Sequence, residues 1–178
     1  MRDLLERLQA ENFQAEGCII GEPTAQQVGF GHKGKIFGCF CCHGQPAHSA
    51  NPALGCNAIG LAAEMVGAAE TLQAELLATG ARDAAYPFPV TSVHVGTIKG
   101  GSALNIVPER CDVEFEIRNV AADDPQALVA QLRARAAEIV ARRGQGRIEV
   151  EIANEYPGLE TSPEDPFAAK ILAAAGTG

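Results

Sequence analysis

The chain has 178 residues, 47% apolar and 20% charged, the balance of a soluble globular protein with room for one domain and a real core. Its formal net charge of −8 and pI near 5.0 exclude a nucleic-acid partner, which would need a basic footprint. No apolar run reaches the length of a membrane span, and the charged start Met1-Arg2-Asp3-Leu4-Leu5-Glu6-Arg7 is not a signal peptide, so neither a membrane nor export is expected.

Arg2 to Asn12 reads as a helix with Leu4, Leu5 and Leu8 on one face. Gly17-Cys18-Ile19-Ile20-Gly21 reads as a short buried strand, closed by Glu22-Pro23-Thr24. Pro23 stops the pairing and leaves Glu22 at the strand end, as either a surface turn residue or a site residue. Val28 to His43 carries a hairpin-like pattern punctuated by Gly29, Gly31 and Gly34, and Ile36 to Cys42 is apolar on both faces.

A turn follows, His43-Gly44-Gln45-Pro46-Ala47-His48-Ser49-Ala50-Asn51-Pro52. Turns of this composition, held by elements on both sides, are where functional side chains tend to be mounted. Taken alone, His48 reads first as an exposed turn histidine. Asn57 to Ala78 then forms a helix, with Ala58, Leu61, Met65, Ala69, Leu72 and Leu76 at three- and four-residue steps and Gly80 as its stop.

Pro87 and Pro89 mark a loop, and Val90 to Ile98 alternates with Val93 and Val95 on one face. A glycine-led connection runs from Lys99-Gly100-Gly101-Ser102 to Asn105-Ile106-Val107-Pro108-Glu109. In the next strand Cys111, Val113, Phe115 and Ile117 face the core, while Asp112, Glu114, Glu116 and Arg118 face away. Asp123-Asp124-Pro125 caps a second long helix striped by Leu128, Leu132, Ala136 and Ile139. Ile148, Val150 and Ile152 alternate in a last strand; Glu155 to Pro166 is turn-rich, and Phe167 to Ala175 starts a further helix.

The six cysteines lie mostly within apolar runs, where a free thiol behaves as a small hydrophobe. Cys39-Phe40-Cys41-Cys42 sits on one strand without the second pair that a cysteine zinc site wants. Reduced thiols and a cytoplasmic protein are expected.

From Val28 the order is strand, helix, strand, strand, helix, strand. This predicts an α+β, ferredoxin-like βαββαβ fold, with an antiparallel four-stranded sheet and both helices on one face. A free sheet face or edge is a natural place for two copies to meet.

Four motifs in order carry a resemblance: Gly21-Glu22-Pro23-Thr24, Gly44-Gln45-Pro46-Ala47-His48-Ser49-Ala50, Asn105-Ile106-Val107-Pro108, and Arg118 closing its strand. Together they resemble the M20 family of dinuclear-metal amidohydrolases and peptidases. The resemblance implies a catalytic domain interrupted by a ferredoxin-like lid that also dimerises. On that pattern residues 1–24 end the first catalytic half, 25–154 form the lid, and 155–178 begin the second half. It implies that Glu22 is a metal ligand and that His48 donates a hydrogen bond to the oxyanion in the other subunit's site. Asn105 would bind substrate, and Arg118 would grip a substrate carboxylate. It implies a homodimer acting on a small N-acyl amino acid with a divalent metal, zinc by type, two ions in the whole enzyme. Other M20 activities stay open, and so does a stand-alone dimerising or ligand-binding module.

Read without the resemblance, Arg118 could neutralise Glu116 and Asp112, and Asn105 could be a turn residue satisfying its own backbone. The family also needs an His-x-Asp motif, a bridging Asp, a Glu-Glu pair and a late His. None of His32, His43, His48 and His94 is followed by x-Asp, and no Glu-Glu pair occurs. The chain is therefore expected to be a fragment of the enzyme, inactive alone, with no tightly held metal at Glu22.

Overall fold

The structure, a computed structural model, describes residues 2–21, 24 and 27–176. The elements are α1 (Arg2–Ala10), β1 (Gly31–His32), β2 (Gly34–His43), α2 (Ala58–Thr79), β3 (Ser92–Gly100), β4 (Arg110–Asn119), α3 (Pro125–Arg143), β5 (Arg147–Tyr156), β6 (Leu159–Glu160) and α4 (Pro166–Ala175). They fall into two compact units, Lys33–Gly158 and the pair of segments Met1–His32 and Leu159–Gly178. No helix among the described residues is long and apolar enough to cross a membrane.

The larger unit is the expected ferredoxin-like fold. Its four strands are antiparallel in the order β3-β4-β2-β5, so the first and third strands of the unit are central. Alternation on β4 buries Cys111, Val113, Phe115 and Ile117, and β2 adds Ile36, Phe40 and Cys42 to the same face. α2 covers that face with Leu61, Met65, Leu72 and Leu76, and α3 with Leu128, Leu132 and Ile139. The other face, opposite the one that α2 and α3 cover, carries Asp112, Glu114, Glu116 and Arg118.

Local chemistry sets the helix ends. The Asn57 side chain accepts from Gly60 N–H at 3.2 Å to start α2. Asp124 does the same for Gln126 N–H at 2.9 Å ahead of Pro125, and Gly144 closes α3 in the left-handed region at φ 67°. Buried Thr91 joins β3 to the β4–α3 corner: it donates to Asp123 at 2.5 Å and accepts from Val120 N–H at 3.0 Å.

In the smaller unit α1 and α4 form much as the periodicity predicts, but two sequence expectations are corrected. Gly17 to Gly21 is not a strand; Cys18, Ile19 and Ile20 are exposed. No described segment offers it the ladder of hydrogen bonds that would hold it extended. The hairpin reading of Val28 to His43 also fails. β1 pairs antiparallel with β6, because the single residue Lys33 between β1 and β2 leaves no room for a turn.

The core holds a stacked aromatic pair, Phe40 and Phe115, with ring centroids 4.2 Å apart and both residues at most 1% exposed. Gly38 sits beside it, where an added Cβ would meet the Phe115 ring at 2.8 Å and the Glu151 carbonyl at 2.4 Å. Phe115→Ala is expected to cost about 3–5 kcal/mol, from lost burial plus the cavity left behind. Urea unfolding checks this; a loss under about 1 kcal/mol would mean that the ring is not part of the core.

Candidate functional site

The site is built where β2 runs out. Gly44 N–H donates to Glu109 at 2.8 Å, and Gln45 and Cys56 exchange two backbone hydrogen bonds of 2.9 Å, closing the loop between them. Gly44 is required there, since a Cβ would fall 1.9 Å from the Cys56 carbonyl. Further out the loop pairs with the segment after Gly101. Val107 N–H donates to Ala47 at 2.8 Å, Ser49 N–H donates to Asn105 at 3.0 Å, and His48 stands opposite Ile106. The structure thus brings His48 and Asn105, far apart in sequence, onto adjacent backbone.

His48 is exposed at the tip. Its Nδ1 accepts from Ala50 N–H at 3.1 Å, and its carbonyl accepts from Asn51 N–H at 2.9 Å. With Nδ1 spent as an acceptor, the neutral ring carries its proton on Nε2. The remaining nitrogen is a donor held on a turn braced from two sides. Beside it opens a cleft of about 590 Å³, lined among others by Ser49, Asn57, Ile59, Ser102 and Ile106. Gly101, at φ +82°, turns the chain along this cleft. Ser49 and Ser102 went unnoticed in the sequence; the glycine-led connection was the signal that could have found Ser102.

Arg118 is not part of this cluster. It lies at the far end of β4 from Arg110, which pairs with His43 at the foot of the His48 loop; eight residues at ~3.3 Å each put it roughly 25 Å away along the strand. Its guanidinium bonds Glu116 at 3.1 Å and 3.4 Å, and Lys35 reaches the same carboxylate at 3.0 Å. Burial acts to raise the Glu116 carboxyl, but the hydrogen bonds from Arg118 and Lys35 outweigh it and hold it below the usual glutamate range. Asp112 is held by Arg110 instead, at 2.9 Å and 3.1 Å. Glu22 lies outside the described residues. Among the described residues of Met1–His32 and Leu159–Gly178, no three His, Cys, Asp or Glu side chains converge on a common point. These residues do not fit a metal centre of the M20 kind.

The peptidase dimerisation domain family of the M20 group matches residues 30–143. The chain belongs to this family. The chain is 31% identical over 156 residues to the acetylornithine deacetylase of Vibrio atlanticus, covering 87% of this chain and 41% of that protein. It is 31% identical over 166 residues to the same-named protein of Vibrio vulnificus, covering 93% of this chain and 43% of that protein. Among solved structures it superposes on an aminopeptidase from Bacillus cereus with TM-score 0.60 at 22% identity, over 83% of this chain and 36% of that one. The chain therefore spans about two fifths of the length of the relatives it matches.

The Arg118–Glu116 pair has a readable consequence. A carboxyl depressed on folding stabilises the fold above its unfolded range, near 4.3, and that contribution is lost as pH falls through the lower folded value. Arg118→Ala is expected to raise the Glu116 carboxyl toward its unfolded range and so to shrink the loss of stability on acidification, with a cost at neutral pH under about 1 kcal/mol. Carboxyl NMR titration of both proteins checks it; an unmoved Glu116 would mean that Arg118 is engaged elsewhere in solution.

Proposed function

We propose that this M20 dimerisation domain serves a metal-dependent amidohydrolase that removes the acyl group from an N-acyl amino acid, in the manner the name acetylornithine deacetylase describes. The observation that carries the reading is the tautomer set by the His48 turn. Ala50 N–H occupies Nδ1, so Nε2–H projects as a donor suited to the oxyanion that forms when water attacks an amide. Asn105, on the strand-like segment paired with that turn, orients the substrate. Arg118 supplies the planar fork that suits a substrate carboxylate. With some 25 Å of strand between Arg118 and His48 in one copy, the two residues serve one small substrate only across a dimer or from different sites.

We further propose that residues 1–24 and 155–178 are pieces of the catalytic domain on either side of a lid at 25–154. On this reading Glu22 is one ligand of a divalent metal, zinc by the chemistry of such sites. The metal would supply an activated water in the whole enzyme. The described residues do not assemble that centre, and the chain alone is expected not to hydrolyse N-acetylornithine. Unpaired thiols suit a cytoplasmic enzyme.

In a full-length deacylase carrying this segment, His48→Ala is expected to lower turnover about 10²–10³ with a smaller change in KM. A structural histidine would instead lower the unfolding temperature and leave the folded fraction active. Kinetics and thermal unfolding measured together separate the two; unchanged turnover in a folded variant removes His48 from the mechanism.

β3 and β5 are the edge strands, with no further strand beside them among the described residues, which favours association. A homodimer is expected at micromolar concentration by sedimentation equilibrium. A strict monomer would count against supply of His48 to a partner's site.

A further inference from the structure

Alternate residues of β2 leave the core and stand on the open face of the sheet: Lys35, Phe37, Cys39, Cys41 and His43. The register then sets a row of acids around the two thiols. Cys41 lies between Asp112 on β4 and Glu149 on β5, and Cys39 lies between Glu114 and Glu151. The sulfurs of Cys39 and Cys41 and a carboxylate oxygen of Asp112 all lie within 4.8 Å of one another. Cys41 is 4% exposed; Cys39 and Asp112 are half-buried. Arg110 holds both oxygens of Asp112, and Arg147 holds Glu149, which also lies 3.3 Å from His43 Nε2 without hydrogen-bond geometry.

Three uses of such a pair can be weighed. A disulfide is poorly served, because thiols two residues apart on one strand stand side by side with Cα atoms about 6.6 Å apart, near the upper limit for bridging. A reactive thiolate is also poorly served. Burial first, then the Cys39 side chain and the charges of Glu151 and Asp112, push the Cys41 thiol up to about 12. A cation fits both the charge and the spacing: its positive charge offsets the surrounding acids and displaces the thiol protons as it binds, so that the sulfurs ligate as thiolates. Two sulfurs at ~2.3 Å from one tetrahedral ion are about 3.8 Å apart, and sulfur to oxygen is about 3.5 Å, so the cluster needs to close by only about 1 Å. Side-chain torsions on a strand absorb that much. Arg110 then plays the part that hydrogen-bond donors commonly play behind a ligating carboxylate, fixing its orientation.

We propose that Cys39, Cys41 and Asp112 form a binding site for a thiophilic divalent cation of the zinc and cadmium class, on the open face of the sheet. Its third ligand comes from across the sheet and not along the chain, which is why cysteine spacing alone did not show it. An ion there would clip β2 to β4 and raise the resistance of the sheet to unfolding.

The test is titration of the reduced 178-residue chain with cadmium, followed by the sulfur-to-cadmium charge-transfer band in the ultraviolet. One ion per chain is expected, displaced by zinc, with the unfolding midpoint raised by either metal. Cys39→Ser and Cys41→Ser should each abolish the one-equivalent band, and Asp112→Asn should weaken binding at least about 10-fold. Cys18→Ser, removing the exposed thiol of the other unit, should change nothing. If Cys41→Ser fails to fold by circular dichroism, half-exposed Cys39→Ser and Asp112→Asn carry the result. A band that survives Cys39→Ser, one that vanishes with Cys18→Ser, or no saturation at one equivalent would overturn the site.

Discussion

β2 is hydrogen-bonded along its length on both sides, to β4 and to β5, and its side chains can only alternate. A one-residue slip of β2 would send Phe40 to the open face and Lys35 and His43 into the core. That constraint places everything else. It sets Phe40 against Phe115, it seats α2 and α3 on one face, and it leaves His43 at the point where the chain must leave the sheet. The loop bearing His48 starts from this fixed point, closed at its base by Gln45 and Cys56. The same alternation collects thiols and carboxylates on the opposite face.

Much of this was legible in the sequence because the patterns are periodic. Cys111 to Arg118 alternates without a break, and α2 and α3 carry apolar stripes with capping residues at their starts. Where the reading failed, the missing information was a partner. Cys18-Ile19-Ile20 has the composition of a buried strand, yet burial and pairing are properties of neighbours and not of the segment. The brevity of the link between β1 and β2 was visible, but not that Leu159 and Glu160 would come to lie beside β1.

The site was legible to a different degree. His48 stood out through turn composition, and Asn105 through the segment it opens. That their backbones pair was not readable, since it depends on two loops meeting across the end of the sheet. The tautomer of His48 was likewise hidden, because it follows from one backbone N–H two residues on. Arg118 shows the reverse: the ion pair with Glu116 was anticipated from the sequence and is present, while the distance from His48 became visible only in three dimensions.

The closed base of the His48 loop has an evolutionary consequence. With Gln45 bonded to Cys56 and Ala47 to Val107, the ends of the outer segment are pinned independently of what lies between Ser49 and Gly55. Doubling the length of a flexible loop adds only about 0.6 kcal/mol of closure entropy. Insertions and substitutions at this rim are therefore nearly neutral for folding, although they sit beside the cleft. The architecture separates two kinds of inheritance: a base that tolerates almost no change, Gly44 above all, and a rim free to drift, on which selection for a different occupant of the cleft could act without remaking the fold.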